Sequence, residues 1–184
     1  MPAWLNLPNL LTLLRLVLAP FVIRAILRGE PLFALELFAI AAVTDVLDGT
    51  AARHFGSSTR GGAYFDPIAD KVLMSGVFLA LAIGGIVPRW LVVLIFARDI
   101  FILLGACVFL IFTSVRSMPP SIWGKLSTLV QIITAVIWMG RDALDMHLLD
   151  VLAPLTVWPC AAFTAWSGVD YAFRGNRLWR ARIK

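Results

Sequence analysis

The sequence predicts an all-α, polytopic integral membrane protein, with about six transmembrane helices behind a short amphipathic N-terminal segment. Three observations predict it. Of 184 residues, 60% are hydrophobic and only 15% charged, whereas a soluble domain carries about 25% charged residues. The mean hydropathy is +0.88. The apolar residues gather into stretches long enough to cross a bilayer core, about 20 residues each, separated by short connections rich in Gly, Pro and charge. With no internal repeat and no loop long enough for an extramembrane domain, residues 1–184 read as a single membrane domain.

The net charge of +5 is carried by few basic residues set in apolar sequence. It suits anionic lipid headgroups rather than nucleic acid. Cys107 and Cys160 both fall in apolar segments without CxxC spacing, which excludes a disulfide framework and a thiolate metal site. The N-terminus lacks a basic n-region and a cleavage site, so the first helix is expected to be retained.

Residues 1–9, with Trp4 and two prolines, suit the headgroup level, and Asn6 or Asn9 can cap the first span. That span covers about 9–28 and Pro20 can kink it. Arg24 and Arg28 lie near its far end and can snorkel. Arg15 lies about 9 Å along it and has two readings: a snorkelling cation, or one turned inward, as intramembrane charges usually are. The second span, about 31–54, opens on Pro31, a favoured first helical position, and Glu36 near its outer end reads as a solvated charge. The third, about 62–85, closes on Gly84-Gly85.

Pro88-Arg89-Trp90 opens the fourth span, about 88–113, with an interfacial aromatic. Arg98 and Asp99 fall near its middle. Adjacent helical residues point about 100° apart, so the two are expected to need separate partners, with a functional role favoured for Arg98. The polar connection 114–121 breaks the helix. In the fifth span, about 121–140, Lys125, Thr128 and Gln131 form a candidate polar lining. The sixth covers about 147–173, and the basic tail reads as a solvated, membrane-apposed end. His54 and His147, both at span ends, belong to no metal-spaced set.

Placing the N-terminus in the cytoplasm puts nine basic residues on that side: Arg53, Arg60, Arg116, Lys125, Arg174, Arg177, Arg180, Arg182 and Lys184. Four remain outside: Arg24, Arg28, Arg89 and Arg141. This asymmetry favours both termini and the 55–61 turn in the cytoplasm.

The chemistry gathers in DVLDGTAARHFGSSTRGGAYFDPIAD, residues 45–70. Asp45 and Asp48 are three apart and Asp66 and Asp70 four apart, so on helices each pair shares one face. Two antiparallel helices joined at the polar turn between them would cluster all four. From the facing helix ends, Asp48 and Asp45 lie ~9 and ~13 Å deep, and Asp66 and Asp70 ~6 and ~12 Å. Carboxylates at such depth cost at least ~2.5–3.5 kcal/mol each at mid-bilayer, so the cluster needs cations. Hard oxygen donors suit Mg²⁺, Mn²⁺ or Ca²⁺ rather than Zn²⁺. The competing reading, structural pairing with Arg53, Arg60, Lys71 and Arg15, does not require glycines on the carboxylate stripes. Lys71 lies off the stripe and is placed to pair with a neighbouring carboxylate. Gly49 and Gly62 remove side chains beside the carboxylates and leave the backbone open to a ligand there.

The series Asp45-x2-Asp48-Gly49-x2-Ala52-Arg53-x8-Gly62-x3-Asp66-x3-Asp70 resembles the signature of the CDP-alcohol phosphotransferase family at every fixed position and spacing. The resemblance implies a membrane enzyme that transfers a phosphoalcohol group from CDP-diacylglycerol and releases CMP. It implies Mg²⁺ or Mn²⁺ held by Asp45, Asp48, Asp66 and Asp70, to neutralise the diphosphate and stabilise the leaving CMP. Asp70 would also be the general base toward the acceptor hydroxyl. Gly49, Ala52, Arg53 and Gly62 would line the CDP-lipid site, with Arg53 giving charge-assisted hydrogen bonds. Arg98, Arg60, Arg116 and Lys125 are the cations available to the acceptor. A homodimer in a bacterial inner membrane, with its active site on the cytoplasmic face, is implied as well.

Ala97-Arg98-Asp99 and the stretch from Pro120 to Gln131 resemble the branch that makes phosphatidylglycerol phosphate and cardiolipin. Glycerophosphate-using members carry a further basic residue shortly after the position of Arg98, and here IFILLGACVFLIF is uncharged. That departure tilts the expected acceptor toward phosphatidylglycerol, with cardiolipin as product and glycerol 3-phosphate as the alternative. A cation-coupled transporter is the reading from another class. It predicts carboxylates spread through the membrane depth or broken spans in paired halves, and neither is visible. A structural scaffold leaves the aspartates unexplained.

Overall fold

A computed structural model describes the backbone of residues 7–55, 62–112 and 121–183, and the side chains of 12–44, 69–108 and 121–176. Among the described residues six helices follow one another: α1 (Leu7–Leu27), α2 (Pro31–Phe55), α3 (Gly62–Ile83), α4 (Arg89–Phe112), α5 (Ile122–Ala143) and α6 (His147–Ile183). The expected helix order holds. By length and composition, Arg89–Val108, Ile122–Ala143 and His147–Asn176 are apolar enough to cross a membrane, and Pro31–Thr44 is a shorter apolar stretch. The expected N-terminal interfacial segment falls largely outside the described residues.

Among the described residues the core is mainly apolar but includes buried polar side chains, and large apolar side chains are exposed on the surface. Thr12, Arg15, Thr44, Ser127, Thr134, Thr164 and Ser167 are buried, while Leu13, Leu16, Val17, Phe21, Val93 and Leu103 are exposed. Buried hydroxyls beneath exposed apolar side chains are stable where the surroundings are hydrocarbon, because they satisfy one another and the backbone. Thr44 and Thr134, for example, donate back to the carbonyls of Ala41 and Val130 at 2.7 and 2.8 Å. The chain is an integral membrane protein.

Contacts divide the chain into two compact units: Met1–Val87 with Trp138–Met146, and Pro88–Ile137 with His147–Lys184. In the first, α1 packs against both α2 and α3. Its buried stripe is Thr12, Arg15, Ala19, Val22 and Ile26, met by Ala34, Phe38 and Ala41 on α2 and by Ala69, Leu73, Val77 and Leu81 on α3. A Cβ on Gly76 would collide with Cδ1 of Ile23, so Ile23 must move before any side chain fits there. In the second unit α4 packs on α6. Trp90, the expected interfacial aromatic, sits 6.0 Å from Trp158, centroid to centroid.

Two helix ends are set by glycine. Gly29 (φ 70°) and Gly85 (φ 71°) adopt the left-handed conformation. After α1, Gly29 N–H donates to the Ile26 carbonyl at 3.1 Å and Glu30 N–H to Ala25 at 3.0 Å; after α3, Gly85 N–H reaches Ala82 at 3.2 Å and Ile86 N–H reaches Leu81 at 2.9 Å. Both are Schellman caps. The Gly84-Gly85 stop expected for the third span is thus observed within two residues. Nothing lies within 4 Å of a Cβ added at Gly85, so Gly85→Ala should strain only the backbone. It should lower stability by about 1–2 kcal/mol, read as a drop in melting temperature in detergent. An unchanged Tm would show that the cap adds nothing.

Two boundaries differ from expectation. α5 continues to Ala143, through Arg141 and Asp142. α6 continues through the basic tail to Ile183, 37 residues in all; Gly175 costs only ~1 kcal/mol inside a helix and does not stop it.

Candidate active site

The motif residues fall on α2 and α3 as the spacing requires. Asp45, Asp48, Gly49, Ala52 and Arg53 lie in the last three turns of α2, and Asp66 and Asp70 in the first three turns of α3, which begins at Gly62. Positions 45, 48 and 52 continue at helical spacing the stripe that α2 buries at Ala34, Phe38 and Ala41, and position 66 precedes the α3 stripe of Ala69 and Leu73. The motif is built onto the faces these helices already use for packing. The side chains of Asp45, Asp48, Arg53 and Asp66 lie outside the described residues, as do Arg60 and Arg116.

Asp70 is described, and it has a partner that resolves the two readings of Arg15. Arg15, 1% exposed, donates from Nη1 to Oδ1 of Asp70. The arginine faces inward, onto an aspartate of the motif, rather than snorkelling. A fully buried guanidinium needs this counter-charge, and the contact fixes the direction of the Asp70 carboxylate. Structural pairing and a chemical role are therefore not alternatives at this position.

Arg98 forms a second centre in the other unit, and here one expectation is corrected. Its Nη1 donates to Oδ1 of its neighbour Asp99 at 2.9 Å. The ~100° between adjacent side chains separates their Cβ directions, but the long arginine stem turns back across it. Nε of Arg98 also donates to Oγ of Ser167 at 3.2 Å, as does Nη2. The guanidinium carbon stands 5.9 Å from the centroid of the Tyr171 ring, within cation–π range.

Lys125 is exposed, while Gly124 beside it is buried. Of the expected polar lining only Gln131 is buried; Thr128 is exposed and bonds the Gly124 carbonyl at 3.2 Å. The buried polar line on α5 runs instead through Ser121, Ser127, Gln131 and Thr134. Ser121 caps α5, taking the Gly124 N–H on Oγ at 3.0 Å. Gln131 donates to Thr164 at 3.1 Å, and Ser127 and Thr164 share a bond of 3.4 Å. Sequence reasoning missed Ser121, Ser167 and Tyr171. The available signal was the run 153, 157, 160, 164, 167 and 171, a helical stripe of small and polar residues closed by a tyrosine.

The model of the CDP-alcohol phosphatidyltransferase family matches residues 5–166, which include every motif aspartate. The chain belongs to this family. It is therefore a membrane transferase of substituted phosphate groups in phospholipid synthesis, and the transporter reading is left without support. The chain is similar to a probable phosphatidylglycerophosphate synthase of Mycobacterium tuberculosis, 36% identical over 179 residues that cover 94% of this chain and 82% of the relative. It is 33% identical to a CDP-diacylglycerol–glycerol-3-phosphate 3-phosphatidyltransferase of Rickettsia felis, over 90% of this chain and 93% of the relative. A probable CMP-forming cardiolipin synthase of Drosophila melanogaster is 31% identical over 74% of this chain and 47% of its own length.

Proposed function

We propose that the protein transfers the phosphatidyl group of CDP-diacylglycerol to a hydroxyl of phosphatidylglycerol, giving cardiolipin and CMP. The observation that carries the acceptor choice is Arg98. Its charge is already balanced by Asp99 at 2.9 Å, and the stretch after it is uncharged. Such a site suits one phosphodiester charge better than a dianionic headgroup. Glycerol 3-phosphate is the second reading, favoured by the relatives from Mycobacterium and Rickettsia that the chain matches along most of their length.

The donor set fits a divalent cation. Four carboxylates, hard oxygen ligands, occupy two helical stripes that lead into packed faces. Asp45, Asp48, Asp66 and Asp70 would hold Mg²⁺ or Mn²⁺, which when bound supplies charge neutralisation at the diphosphate. Arg53 binds the diphosphate, and Gly49, Ala52 and Gly62 leave room for it to approach the backbone. The acceptor oxygen attacks the phosphatidyl phosphorus, the bond to the bridging oxygen of CMP breaks, and Asp70 takes the acceptor proton while Arg15 holds its carboxylate in place. Arg98 receives the acceptor phosphate, with Lys125, Arg60 and Arg116 as further cations. The reading includes a homodimer in a bacterial inner membrane, with the active site on the cytoplasmic side that bears most basic residues.

Purified protein given CDP-diacylglycerol with either acceptor tests the choice. Cardiolipin formed from phosphatidylglycerol supports it; phosphatidylglycerol phosphate formed from glycerol 3-phosphate, with no cardiolipin, overturns it. Arg98→Ala should raise the acceptor KM roughly a hundredfold, two hydrogen bonds to a charged group being lost, and leave the KM for CDP-diacylglycerol nearly unchanged. An equal rise in both would remove Arg98 from the acceptor site.

A further inference from the structure

We propose that Ser167 and Tyr171 of α6 are positioning residues for Arg98, holding its guanidinium so that one N–H on each terminal nitrogen points to the acceptor phosphate. The proposal rests on the reading of Arg98 as the acceptor-binding cation and concerns what prepares it.

The donor inventory of Arg98 carries the inference. A guanidinium has five N–H groups. Nε donates to Ser167 Oγ at 3.2 Å, Nη2 donates to the same oxygen, and Nη1 donates to Asp99 Oδ1 at 2.9 Å. Among the described residues, three donors are thus committed. One remains on Nη1 and one on Nη2, a pair that can grip two oxygens of one phosphate. Asp99 already balances the charge, so Ser167, neutral and 0% exposed, adds direction rather than charge. One oxygen receiving two N–H groups fixes the plane of the guanidinium as a single bond cannot.

Tyr171 covers the guanidinium at 5.9 Å, and the ring is itself tied to α5. The backbone N–H of Ser121 donates to the Tyr171 hydroxyl at 3.4 Å. Gly124 leaves the space this needs: a Cβ there would lie 3.3 Å from Tyr171 Cε2 and 3.5 Å from Arg98 Nη2. A long, flexible cation is thereby held ready before the acceptor arrives, which lowers the ordering cost of binding. An effect of this kind shows in KM and not in kcat.

The test is a double-mutant cycle on purified protein in mixed micelles, with CDP-diacylglycerol and whichever of phosphatidylglycerol or glycerol 3-phosphate it uses. Ser167→Ala should raise the acceptor KM about fivefold, with kcat and the KM for CDP-diacylglycerol moving far less. In an Arg98→Ala background the same change should have no further effect, because Ser167 acts only through Arg98. Tyr171→Leu should behave like Ser167→Ala, and Tyr171→Phe, which keeps the ring and loses only the 3.4 Å bond from Ser121, should fall between it and wild type. If Ser167→Ala does not fold, the tyrosine pair carries the test alone. Ser127→Ala, which breaks a buried α5–α6 bond without touching Arg98, should leave the acceptor KM in place. An acceptor KM unmoved by Arg98→Ala itself would remove the reading of Arg98 and this proposal together. With Arg98→Ala effective, the reading of Arg98 stands and the positioning role is overturned if Ser167→Ala is silent, acts equally in both backgrounds, or is matched by Ser127→Ala.

Discussion

Asp45→Asn, Asp48→Asn and Asp66→Asn are each expected to lower CMP release at least roughly a thousandfold, equivalent to about 4 kcal/mol of transition-state stabilisation. Each change keeps the shape of the side chain and removes one charge from a shared set of ligands. Insertion should survive, since losing a carboxylate from a helix bound for the membrane reduces its cost. The three variants should also bind Mn²⁺ more weakly, read by electron paramagnetic resonance in detergent, which separates lost metal from lost fold. Substantial turnover in any one of them would remove that residue from the metal set.

Asp70→Asn should act differently. Asparagine can still accept a hydrogen bond from Arg15, but it cannot take a proton from the acceptor. The rate per bound complex should fall about 10²–10⁴-fold, with CDP affinity changing far less. Because Arg15 is 1% exposed and loses one counter-charge, the melting temperature should fall as well. Breaking a fully buried pair typically costs about 3–5 kcal/mol; with the Asp70 side chain 44% exposed and the hydrogen bond retained, the loss should stay below that. A large loss of CDP affinity at an intact chemical rate would make Asp70 a binding ligand only. An unchanged Tm would show that Arg15 draws its compensation from elsewhere.

The helices were legible because their punctuation is local. Pro31 fixes the backbone where α2 starts, and Gly84-Gly85 permits the left-handed turn that ends α3. The motif was legible because its residues sit within 26 positions of one another on two consecutive helices. Arg98 was read correctly as a residue needing partners and wrongly as one that could not use Asp99, because helical angles describe Cβ directions and not the reach of a long side chain. The stripe that carries Ser167 and Tyr171 was legible as a spacing, but its partners were not. Both are polar residues in an apolar helix, and what they touch lies 69 positions away in the chain for Ser167.

That separation has a consequence for the birth of the protein. Arg98 enters the bilayer on α4 with Asp99 beside it, but Ser167 has not yet been synthesised. At about 5–20 residues per second, the hydroxyl that completes its shell arrives some 3–14 s later. During that interval α4 carries its cation with only Asp99 of its shell in place. Completion of α6 ends it, so a chain truncated before Ser167 exposes its own incompleteness at Arg98.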